Sequence, residues 1–253
     1  MSASVPARSR YDFRLRMGMR IAVERFGEER EPVLIIDDPM REPGQLVDWA
    51  ADEAFFEPAW QPEGGYPGLR ASAPVEYYRR LVRSVDPIVR RTFGLEGVRL
   101  ANAACMFSLV TQPPEDLAPP QRIPHFDTAD PLQFAFLHFL CDERFGGTAF
   151  YCHRATGFEA ITPEREAEYE AARGSELAEE PPPQAYVTAD TPRFAQTGVA
   201  GARFDRLIVY RSNVLHSGLI ATPEKLSEDP RTGRLSANSF VTYRPAAAEG
   251  ARV

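Results

Sequence analysis

The rhythm of apolar and polar positions changes near residue 97. Before it, Leu81, Val85, Ile88 and Val89 recur at a spacing that puts them on one helix face. This predicts a helix over residues 74–93, bent where Pro87 removes a backbone donor. An earlier helix is expected over residues 43–54, after two strands at 20–26 and 33–36. Between the helices, Gly64-Gly65-Tyr66-Pro67-Gly68 reads as a loop. No strand leads into it with the glycine pattern of a phosphate cradle, so a plain turn is expected. From Val98 onward the apolar residues come in short β-branched and aromatic runs. Residues 105–111, 134–140, 148–151, 194–199, 207–210 and 235–243 read as strands. Proline pairs and a triplet separate them, at Pro113-Pro114, Pro119-Pro120 and Pro181-Pro182-Pro183, and residues 163–180 form a highly charged helical insertion. No internal repeat is visible. Short strands after a helical first portion predict a mainly β fold: a two-sheet sandwich or jelly roll flanked by helices.

Composition bounds the picture. A chain of 253 residues that is 43% hydrophobic can bury a substantial core and fits one large β-rich domain, 1–253. Within it, about 1–97 would supply the early strands and an N-terminal helical buttress, and 98–245 the catalytic core. Cys105, Cys141 and Cys152 are an odd number without zinc-type pair spacing, which points to a reducing compartment. No window approaches the roughly 18 consecutive apolar residues of a membrane helix, and the N-terminus lacks the apolar core of a secretory signal. A soluble, cytoplasmic protein with no membrane partner is expected. A net charge of −7 repels phosphate backbones and argues against a nucleic-acid partner. Arg8, Arg10, Arg14, Arg16 and Arg20 crowd the N-terminus, but Lys225 is the one lysine among 29 basic residues. Arginine is therefore the chain's general cation, and the cluster says little by itself.

Candidate chemistry begins at Pro124-His125-Phe126-Asp127. Residues separated by one point to the same side of an extended segment, so the imidazole and carboxylate can reach one ion. A third candidate, His216, follows an apolar run, 207–210, and precedes Gly218. Two imidazoles and one carboxylate on one face of iron(II) leave three positions open, the arrangement non-haem iron uses to activate oxygen. The same three groups suit zinc with an open site. His138, alternating with Phe134 and Phe136, is expected in the core, whereas His153 could lie near the site. Ser212 and Asn213, just before His216, could orient it or form a turn.

These residues resemble the iron(II) and 2-oxoglutarate dioxygenases, in particular the prolyl-hydroxylase-like branch with a double-stranded β-helix core. The resemblance spans about residues 104–244 and rests on four motifs in order. They are His125-Phe126-Asp127; Phe145-Gly146-Gly147-Thr148-Ala149-Phe150, like the family's Gly-Gly turn into a core strand; His216, like the distal metal histidine at the end of a late strand; and Gly233-Arg234-Leu235-Ser236. The last resembles the family's Arg-x-Ser pair, which binds the far carboxylate of 2-oxoglutarate. The resemblance implies iron at His125, Asp127 and His216, co-substrate at Arg234 and Ser236, and O2-dependent hydroxylation of a small molecule or a peptide or protein side chain. Independently, the planar fork of arginine matches a carboxylate with two parallel hydrogen bonds. Two departures stand out. His216 and Arg234 are 18 residues apart, with residues 225–232 inserted, which leaves Arg231 and Arg244 as fallbacks. Phe139 also stands where relatives often carry a co-substrate-binding tyrosine. Rival readings are an inactive β-helix binding module and a zinc hydrolase built on the same triad.

Overall fold

The computed structural model describes residues 10–61 and 64–246. Eleven strands and three α-helices follow in the order β1 (Arg20–Phe26), β2 (Glu31–Asp37), α1 (Pro43–Asp52), β3 (Glu57–Gln61), β4 (Gly64–Ser72), α2 (Val75–Phe93), β5 (Val98–Val110), β6 (Gln133–Phe139), β7 (Gly146–His153), α3 (Glu166–Glu179), β8 (Phe194–Gly201), β9 (Arg206–Arg211), β10 (His216–Ile220) and β11 (Arg234–Pro245). The strands form an eight-stranded sheet, β1-β2-β9-β6-β11-β5-β4-β3, and a three-stranded sheet, β10-β7-β8. All the strand pairings are antiparallel. Two strands and a turn depart from the sequence reading. The Gly64–Gly68 stretch is extended chain inside β4, not a loop, and β3 pairs with it. His216 does not close the apolar run at 207–210: that run ends at Arg211, and His216 opens a separate strand, β10.

Alternation along the large sheet sends each strand's residues to two different environments. Leu69 and Ala71 of β4, Phe107 and Leu109 of β5, Phe134 and Phe136 of β6, and Leu235 and Ala237 of β11 join Leu46 of α1 and Leu81, Val85 and Val89 of α2 in one core. α2 earns its place there because its apolar residues fall on one stripe; it runs unbroken through Pro87 and stops at Gly94, whose φ of 64° suits a left-handed cap. His138, on the same face of β6, is fully buried. It bonds Tyr77 Oη of α2 at 2.8 Å and Asp205 Oδ1 at 3.0 Å, so its polarity is satisfied inside the core. The opposite face of the sheet looks toward the three-stranded sheet. There Phe139, Ile208 and Tyr210 pack with Phe145 and Phe150, which join the two layers. Each large side chain so buried contributes about 1.5–3 kcal/mol.

Apart from the buried Glu159, Asp205 and Arg234, the described charged residues stay at or near the surface. Arg10, Arg14 and Arg20 of the N-terminal cluster pair with Asp52, Asp12 and Asp38 on the surface, and Arg8 lies outside the described residues. No described helix is long and apolar enough to cross a membrane.

Candidate metal centre

The turn between β9 and β10 assembles three side chains. The backbones of His125 and His216 exchange both hydrogen bonds, at 2.9 and 2.8 Å, as an isolated antiparallel bridge. The Asp127 N–H donates to Ser212 O at 2.8 Å, which fixes the carboxylate two residues further on. Ser212 and Asn213 thus act through their main chain: Asn213 O accepts from Ile161 N. The outcome is a compact group in which one ligand atom from each of His125, Asp127 and His216 lies within 4.8 Å of the others. Each imidazole Nε2 is 3.9 Å from a different carboxylate oxygen of Asp127. Three donors at these separations leave a space between them of the size a metal ion fills.

The protonation pattern suits that use. His216 Nδ1 lies 2.8 Å from Val214 O. A carbonyl only accepts, so Nδ1 carries the proton and Nε2 presents its lone pair toward Asp127 and His125. Burial pushes His216 down to about 4. Burial, then the neighbouring His216, does the same to His125, against the pull of Asp127. About half of the His125 side chain, 54%, remains open, and it opens into the cavity described next. Both rings are therefore neutral near pH 7 and free to ligate. Burial raises the Asp127 carboxyl, while His125 and Arg70 draw it back.

The three groups line one end of a cavity of about 410 Å³ between the two sheets. Arg234 and Ser236 line it too, because Leu235 between them points into the helix-side core. Arg234 is 4% exposed. Its Nε donates to Phe145 O at 3.2 Å and one terminal nitrogen, Nη2, to Gly147 O at 2.6 Å. It has no acidic partner among the described residues. The Gly-Gly stretch is what supplies those carbonyls. Gly146 has a φ of 93°, and a Cβ there would meet Leu219 O at 2.1 Å, so only glycine lets β7 and β10 approach this closely. A Cβ on Gly218 would lie 3.8 Å from Arg234 Nη2, so the guanidinium sits over a point two residues, or about 7 Å, along β10 from His216.

Of the fallback arginines, Arg231 pairs with Asp48 and Asp52 and Arg244 with Asp130, all at the surface and away from the cavity. His153 is also away from it: the ring is buried between Thr156 and Glu176, at 2.9 and 3.1 Å, and ties β7 to α3. Phe139 offers no donor, but Tyr66 and Arg70 of β4 reach the same cavity. Buried polar atoms without a hydrogen bond gather around it: Tyr66 Oη, Arg70 Nε, Thr148 Oγ1 and Asn238 Oδ1. Sequence reasoning missed these four. The period-two spacing of Tyr66, Gly68 and Arg70 was the available signal, masked by the glycines and proline around it.

No curated protein matches the chain. Among solved structures it is similar to HygX from Streptomyces hygroscopicus, determined with nickel, 2-oxoglutarate and hygromycin B bound (11% identity, 85% of this chain and 83% of that one, TM-score 0.46). It is also similar to the epimerase SnoN in complex with Fe3+, alpha ketoglutarate and nogalamycin RO (14%, 89% and 88%, TM-score 0.45). A third is AviO1 from Streptomyces viridochromogenes Tue57 (13%, 89% and 92%, TM-score 0.44). At such distances the chemistry has to be argued from this chain's own residues. The model of a family of unknown function, DUF6445, matches residues 17–241, nearly the whole chain, and the protein belongs to that family.

Proposed function

We propose that the protein is a non-haem iron(II) oxygenase that uses 2-oxoglutarate, with His125, Asp127 and His216 holding the metal and Arg234 with Ser236 holding the far carboxylate of the co-substrate. One observation carries this reading: a single cavity contains a face of two neutral imidazoles and a carboxylate and, about 7 Å along β10, a buried guanidinium without an acidic partner. A buried cation left unpaired costs several kcal/mol, so its retention calls for an anionic ligand. The span from His216 to Gly218 suits a five-carbon dicarboxylate, whose four carbon–carbon bonds are about 1.5 Å each. A zinc hydrolase needs no dicarboxylate co-substrate, so there the guanidinium would have to serve the substrate itself.

The donor set of two nitrogens and one oxygen fits iron(II) with open positions. Iron bound there supplies oxygen activation coupled to oxidative decarboxylation of 2-oxoglutarate to succinate and CO2. The chain's own part is positional. The Val214 carbonyl holds the His216 ring with Nε2 forward. Phe145 O and Gly147 O fix the Arg234 fork so that its remaining N–H groups face the cavity. The Tyr66 hydroxyl, without a hydrogen-bond partner and raised by burial against the opposing charge of Arg234, keeps its proton and is the donor that Phe139 does not offer. Leu137, Ile220 and Phe240 are apolar wall residues that limit water.

We read the two sheets as a double-stranded β-helix, or jelly roll, with α1 and α2 as its N-terminal buttress and residues 1–253 as one domain. The reaction we assign is hydroxylation, with O2, of a small molecule, which a cavity of about 410 Å³ suits better than a folded partner. The test is succinate formation by iron-loaded protein supplied with 2-oxoglutarate and O2. Formation that disappears in Asp127→Ala is expected; none above that variant, with iron and 2-oxoglutarate both bound, would contradict the proposal.

A further inference from the structure

Arg234 is not the one cation in the cavity without a counter-ion. Arg70, on β4, lines the same cavity, and its side chain forms no hydrogen bond or ion pair among the described residues. Its Nε is buried and unpartnered. The guanidinium carbon lies 4.6 Å from the centre of the Tyr66 ring, which covers one face of the fork and leaves its in-plane N–H groups free. In a chain whose surface arginines are so regularly paired with acids, a stacked arginine with no protein group to donate to is arranged for a ligand.

Position separates Arg70 from Arg234. The charge of Arg70 acts on His125 and Asp127, at the metal end. Both charges act on Tyr66, but that of Arg234 reaches on to Cys141 and Tyr186, where Arg70 has no effect. Register agrees: Arg70 faces Ser108 of β5, which faces Ser236 of β11, whereas Arg234 lies level with Val110 and Gly68, one side-chain step away on the same face. The cavity therefore carries two anion-seeking groups, one toward the far end of the co-substrate and one beside the reacting centre.

We propose that Arg70 anchors a carboxylate on the primary substrate, so that the enzyme oxidises acidic small molecules at a carbon near that group. This rests on the metal and 2-oxoglutarate sites assigned above. Tyr66 then has two duties: its ring holds the Arg70 plane, and its hydroxyl faces the co-substrate end.

Calorimetric titration of the zinc-loaded protein, which cannot turn over, with phenylacetate and with phenylacetamide under saturating 2-oxoglutarate is the test. The acid is expected to bind about tenfold or more tighter than the amide, the effect of one charge-assisted hydrogen bond. Arg70→Gln should abolish the preference, Arg70→Lys should keep part of it, and neither should change 2-oxoglutarate affinity; Arg70 makes no internal bond whose loss would unfold the chain. Equal affinities, or no binding of either probe, would overturn the proposal. So would loss of 2-oxoglutarate affinity in Arg70→Gln matching that in Arg234→Gln, which would assign Arg70 to the co-substrate. If wild-type protein binds no 2-oxoglutarate, the oxygenase reading fails separately. The titration without 2-oxoglutarate then decides whether the acid preference follows Arg70 or Arg234.

Discussion

Replacing Arg234 is the most informative single substitution, because the structure sets the size of the effect. Two of the five N–H donors of the guanidinium are committed to Phe145 O and Gly147 O. The other three, on the two terminal nitrogens, remain for a carboxylate, enough for a two-pronged contact. Lysine keeps the charge, but its three donors leave from one atom and cannot serve both carbonyls and both ligand oxygens. At least one charge-assisted hydrogen bond to the ligand is lost, about 1.5–3 kcal/mol, so the dissociation constant of 2-oxoglutarate should rise roughly 10- to 150-fold in Arg234→Lys. Arg234→Ala should be weaker still, since the carboxylate would enter a partly desolvated pocket without a counter-charge. Metal affinity should hardly move, because the guanidinium sits about 7 Å along β10 from His216. Calorimetry on the metal-loaded variants, with circular dichroism to confirm folding, measures both. Unchanged affinity in both variants would refute the argument, and the same loss in Arg231 or Arg244 variants instead would show that a surface arginine is recruited when ligand binds.

Other consequences are as direct. His216→Ala and Asp127→Ala should each weaken metal binding by more than ~100-fold, beyond the effect of losing an outer-shell partner, while metal analysis and circular dichroism report a folded, metal-poor protein. Gly146→Ala should cost about 2–4 kcal/mol in urea unfolding, from a strained positive φ and a Cβ driven into Leu219 O; a smaller loss would mean that β7 and β10 can separate without harm. Arg206 bonds Asp37 at 2.6 and 3.1 Å and holds its carboxyl below the ordinary range. The folded value is the depressed one, so the pair's contribution is present in full above the unfolded value of about 3.9 and is lost as pH falls through the folded value. The stability gap between wild type and Asp37→Asn should accordingly shrink below about pH 4; a gap constant down to lower pH would discount the pair.

What the sequence revealed depended on how cleanly each segment kept its period. α2 and β1 were legible because nothing interrupts their spacing. β4 was not, because Gly64, Gly65, Pro67 and Gly68 are turn residues by composition. In place, Gly68 packs so closely on β5 that a Cβ would meet Leu109 O at 2.0 Å, a tertiary demand that no local pattern announces. β10 was hidden for a related reason: His216, Ser217 and Gly218 look like the end of the preceding run, and only pairing with β7 makes them a strand. The candidate ligands were legible by residue type and order, and Arg234 by its alternation with Leu235. Tyr66 and Arg70 were not, since one lay in a supposed loop and the other among 28 arginines.

One cavity is expected to hold iron(II) and 2-oxoglutarate together. Anaerobic titration of the iron-loaded protein with 2-oxoglutarate, followed by visible absorption, tests it directly. A saturable metal-to-ligand charge-transfer band, absent in His216→Ala and displaced to higher 2-oxoglutarate in Arg234→Lys, is the predicted result. Iron bound at full occupancy with no band at any 2-oxoglutarate concentration would rule out a shared site for metal and co-substrate.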